Sequence, residues 1–88
     1  MRRRSYAIWW NEGEGARHAG KLELGRLHVL LSGNGDGRVA VPFDEIASIE
    51  YARGVLRLSR RGAGTLQIGS LDAPGALLEL VDSLKRAA

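Results

Sequence analysis

The chain has 88 residues and no cysteine, room for one small domain whose core must hold without disulfides or thiolate-bound zinc. Lys and Arg total 13 against 10 Asp and Glu, a formal charge of +3. Arg2, Arg3 and Arg4 supply all of that excess, which leaves residues 5–88 formally neutral, whereas a nucleic-acid reader carries its cations on the folded surface, so nucleic acid is not an expected partner.

In chain order, Arg2, Arg3 and Arg4 imitate the charged start of a secretory leader. The apolar segment behind them stops at Asn11 and Glu12, shorter than the roughly 7–15 residues such a leader requires. Residues 1–4 are therefore read as a basic disordered tail and residues 5–88 as one domain. No apolar run approaches the roughly 20 residues of a spanning helix, and a cytoplasmic location is the expectation.

Tyr6, Ile8 and Trp10 alternate with Ala7 and Trp9, and residues 11–20, with Gly13 and Gly15, form the longest expected loop. Leu22 and Leu24 follow, flanked by Lys21 and Glu23. Leu27, Val29 and Leu31 then alternate with His28 and Leu30. Residues 32–37 contain Asn-Gly and Asp-Gly, which tolerate the positive φ of tight hairpin turns. Val39, Val41 and Phe43 alternate with Arg38 and Ala40. Ala47, Ile49 and Tyr51 are expected on one face, against Ser48 and Glu50. Ala52-Arg53-Gly54 is a turn, Leu56 and Leu58 flank Arg57, residues 61–64 turn again, and Leu66 and Ile68 flank Gln67. Period-two patterning in short blocks predicts seven half-buried strands over about residues 5–70, with links short enough for antiparallel neighbours.

The period changes at Asp72. Ala76, Leu77, Leu80, Val81 and Leu84 recur at spacings of three and four, the apolar stripe of a helix over about 73–86. Asp72 suits the N-cap, Pro74 falls in the first turn, and Lys85 and Arg86 sit where the dipole favours cations. The predicted fold is mainly β, a seven-stranded antiparallel barrel or roll capped by one C-terminal helix.

That order of elements, with the run Val41-Pro42-Phe43-Asp44-Glu45-Ile46-Ala47-Ser48-Ile49, resembles the small bacterial members of the pleckstrin-homology-like superfold. The resemblance extends over roughly residues 5–87 and implies a binding or assembly module without chemistry of its own. Members that bind phosphoinositides carry basic residues across the first two strands and their loop. Here Arg17, His18 and Lys21 are interspersed with Glu12, Glu14 and Glu23, and the first strand has no basic residue.

The residues offer no catalytic set. No serine lies in a Gly-x-Ser-x-Gly elbow, and His18 and His28 lack the i, i+4 spacing of a helical metal pair. Asp44 and Glu45, adjacent in a turn, are expected to point apart into water. The glycine loop at 33–37 runs into a strand, not into the helix a phosphate loop requires. No enzyme activity, cofactor or metal is expected.

Two surfaces remain. Trp9 and Trp10 are strand neighbours, so their side chains point to opposite faces. Trp9 then either faces outward as an interface anchor or is covered by the loop over residues 11–20 or by the edge of the helix. A protein partner or self-association is the expected role, with Trp9, Trp10, Tyr51 and Arg53 as contact residues along an exposed strand edge. The alternative is weak peripheral contact with an anionic membrane or another polyanion through Arg2, Arg3, Arg4, Arg17 and Lys21, of order 1 kcal/mol per cation near the surface.

Overall fold

In the computed structural model, residues 4–35, 37–72 and 74–87 are described. Seven strands follow in chain order: β1 (Ser5–Glu12), β2 (His18–Leu24), β3 (His28–Ser32), β4 (Arg38–Pro42), β5 (Ile46–Ala52), β6 (Val55–Arg60) and β7 (Leu66–Ser70). A single 3₁₀ turn at Phe43–Glu45 separates β4 from β5, and the helix α1 spans Pro74–Ala87. The strands form one antiparallel sheet in the order β4-β3-β2-β1-β7-β6-β5, curled into a half-barrel. The first and last strands thus meet at its centre, with β4 and β5 at its edges.

The alternation in β1 explains its burial. Tyr6, Ile8 and Trp10 are at most 2% exposed, and Trp10 stands opposite Ile68 while Tyr6 stands opposite Leu22. Leu22, Val29, Leu31, Val41, Leu56, Leu58, Leu66 and Ile68 fill the same interior. The apolar stripe of α1 closes it, with Leu80 and Leu84 fully buried and the helix packed on β5 and β7. The Tyr6 hydroxyl donates to Glu79 Oε1 at 3.1 Å, fastening the central strand to the helix. Among the described residues, no helix is long and apolar enough to cross a membrane.

The structure corrects three details of the sequence reading. The β1–β2 connection is only residues 13–17, because Asn11, Glu12 and residues 18–20 extend the two strands. Leu27 does not join the core: it is 78% exposed in the turn before β3, where its carbonyl accepts a hydrogen bond from Phe43 N–H at 2.9 Å. In β5 the inward residues are Ile46, Ile49 and Tyr51, whereas Ala47 is exposed. Residues three apart cannot share a face of a regular strand. The bulge between Ile46 and Ser48 supplies the missing half-step.

Candidate functional site

Trp9 lies on the outer face of β1, opposite Ala19 of β2 and Gly69 of β7. Its indole occupies the space where a Cβ on Gly69 would stand, so the glycine provides the bed for the ring. The Arg17 guanidinium, from the residue before β2, sits 3.8 Å from the ring centroid as a cation–π cap. Trp9 is therefore half-buried between sheet and arginine. Of the two readings of this residue, cover by the following loop describes it better, with a single side chain providing the cover.

Trp10 is 1% exposed, so burial removes it from the expected contact residues. Its Nε1 donates to the Ser32 carbonyl at 3.0 Å, and its ring stacks on His18 at 4.4 Å between centroids. A Cβ on Gly20 would collide with the Ser32 carbonyl, and one on Gly33 or Gly37 with His18. The glycines of the β3–β4 turn thus serve close approach as well as turning. They let the chain pack closely against the His18 ring.

The β5 side is different. Arg53 and Gly54 form the two-residue β5–β6 turn, both at positive φ (53° and 76°), the geometry of a type I′ hairpin. In such a hairpin Ala52 and Val55 exchange hydrogen bonds. Alternation then makes Glu50 and Arg57 the next bonded pair, while Ile49 and Tyr51 turn their N–H and C=O groups away from β6. Among the described residues no strand lies beyond β5, so these groups point off the sheet. Tyr51 itself is half-buried, its side chain packed toward the core, and contributes backbone to this edge more than ring surface.

A cavity of about 380 Å³ adjoins that edge on the outer face, lined by Glu50, Ala52, Arg53, Val55, Arg57 and Gln67. Arg57 stands opposite Glu50 on one side and Gln67 on the other. Ion pairs among the described residues are Lys21–Glu23, Arg60–Glu12 and Arg86–Asp82, so neither Arg53 nor Arg57 is held by a carboxylate there. Sequence reading finds Arg53 and misses Arg57 and Gln67. Their signal was the exposed register of β6 and β7, which becomes a shared surface only when the strands pair.

The proposed polyanion residues do not converge. Arg2 and Arg3 lie outside the described residues. The Arg4 carbonyl accepts from Leu24 N–H at 2.8 Å, which continues the β1–β2 ladder one residue upstream, so Arg4 is not part of a free tail. Arg17 caps Trp9 at the other end of β2, a seven-residue strand that separates the two by on the order of 20 Å. Lys21, midway, is 3.4 Å from Glu23. A second concavity, also missed from sequence, lies beside the last turn of α1, where adjoining hollows of about 270 and 510 Å³ share Arg26, Phe43 and Ala87. Exposed Leu27 lines the larger hollow and Arg4 the smaller.

No protein-family model matches the chain, and no curated protein matches it. Nineteen solved chains match. One of them is described as the C-terminal domain of an unknown protein from Leishmania infantum, with a TM-score of 0.74 and 17% identity over 91% of this chain and 80% of that one. At that identity the likeness establishes a shared fold and nothing more: this chain is similar to a small β domain whose own role is unknown.

Proposed function

We propose that this chain is a non-enzymatic protein-interaction module that takes up an extended segment of a partner, or a second copy of itself, by strand addition at β5. The observation that carries the reading is the free edge of β5, where the N–H and C=O groups of Ile49 and Tyr51 have no strand to pair with. Added strands gain affinity from such main-chain groups. The bulge at Ile46/Ser48 and the tight turn at Arg53-Gly54 bound this edge, so it offers one short docking segment and not an open-ended template. Seven strands, their order and the closing helix also support assignment to the pleckstrin-homology-like superfold. Trp9 moves from anchor to flank in this reading, because Arg17 already occupies its outer ring face. Polyanion binding has less support, since Arg4, Arg17 and Lys21 are spread along β2.

The test is selection of strand-length peptides from a random display library against the folded chain, with light scattering for self-association. Ile49→Pro removes an edge N–H without breaking a ladder bond to β6. Ile49→Ala keeps the N–H and matches the loss of side chain. Strand addition predicts binders, or a dimer, that weaken roughly tenfold or more with Pro and much less with Ala. Equal effects of the two substitutions, or a monomer that selects no peptide, would overturn the reading.

A further inference from the structure

Resting on strand addition at β5, we infer that the added strand is read by charge: an Asp or Glu side chain on its outward face is held by Arg53 and Arg57. The cavity beside the edge carries two guanidinium groups and one carboxylate, that of Glu50, a balance of one positive charge. That balance fits a single carboxylate better than a dianionic group. Arg57 presents the fork of donors that matches a carboxylate, and Gln67, half-buried beside it, adds an amide donor.

The geometry leaves a path to these groups. An added strand would lie one strand spacing from β5 and two from β6, roughly 5 and 10 Å. Of the outward β5 residues lining the cavity, Ala52 is the small one; an acidic side chain opposite it can pass over β5 at the level of Val55, with Arg53 on the turn side and Arg57 on the diagonal, one pair further along beside Glu50. The residue at position 53 points the same way. Asn and Gly favour positive φ there, yet Arg53 adopts φ 53° and is the one non-glycine at positive φ among the described residues. The backbone gains nothing from arginine at this position; what the side chain contributes is a cation in the lining of the cavity.

The test uses three strand-length peptides of alternating Thr and Val that carry Glu, Gln or Lys at one central outward position, titrated by heteronuclear NMR and fluorescence anisotropy. The Glu peptide is expected to bind roughly tenfold more tightly than the Gln peptide, and the Lys peptide more weakly than both. The Glu preference should shrink as salt is raised. Arg57→Gln should abolish the preference. Arg53→Asn should reduce it while leaving the turn at least as stable, so lost folding cannot account for the effect. Glu50→Gln should raise it, because an opposing carboxylate has gone. If Glu and Gln peptides bind equally and Ile49→Pro still abolishes both, charge reading is wrong and strand addition stands. If none of the three peptides binds and light scattering shows a monomer, or if Ile49→Pro has no effect, strand addition fails and this inference with it.

Discussion

The two flanks of the central strand treat their surface in opposite ways. On the β2–β4 side the molecule satisfies itself: Trp10 is buried, bonded to Ser32 and stacked on His18, while glycines let the β3–β4 turn close over that ring. Even outward-facing Trp9 is bedded on Gly69 and capped by Arg17. On the β5–β6 side, edge amides point off the sheet, and two arginines beside a cavity form no ion pair among the described residues. The lesson is that the conspicuous aromatic pair belongs to stability, and the less conspicuous hairpin is the one left open for the recognition proposed above.

That contrast can be broken by substitution. The largest effect is expected from Trp10→Ala, which empties a core position and removes the indole's bond to the Ser32 carbonyl; urea unfolding should show a loss of about 3–5 kcal/mol. Gly69→Val comes next. Its side chain must expel the Trp9 ring, costing about 1–3 kcal/mol, and iodide quenching of tryptophan emission should rise as the indole leaves its bed. Arg57→Gln should be the mildest, within about 0.5 kcal/mol of the parent chain, as for surface changes away from structural features. If Arg57→Gln destabilised the fold as much as Gly69→Val, the β6 arginine would be structural and the contrast would collapse.

The strand count, the helix and most of the core were legible because each rests on a local period. Tyr6, Ile8 and Trp10 alternate, and Ala76, Leu77, Leu80, Val81 and Leu84 follow the helical spacing, whatever lies around them. Where the reading failed, a neighbour decided. Leu27 continues the β3 alternation in sequence, yet its carbonyl is recruited by Phe43 N–H, and the turn carries its side chain into solvent. Ala47 lost its inward place to Ile46 because a bulge shifted the phase by one residue.

The candidate site was half legible. Arg53 and its tight turn follow from turn chemistry. Arg57 and Gln67 do not: each is one outward polar residue of an alternating strand until pairing brings Glu50, Arg57 and Gln67 side by side.

By itself the sequence determined the seven strands, the tight hairpins and the closing helix, since backbone preference and apolar period are properties of neighbouring residues. Tertiary structure decided which strands became edges, which tryptophan was covered and which arginines share a cavity. The pairing of β1 with β7 joins residues about 60 positions apart, and no local rule encodes it. It follows from the need to bury the apolar inner face of every strand inside one curled sheet, and that closure leaves β5 with an open side.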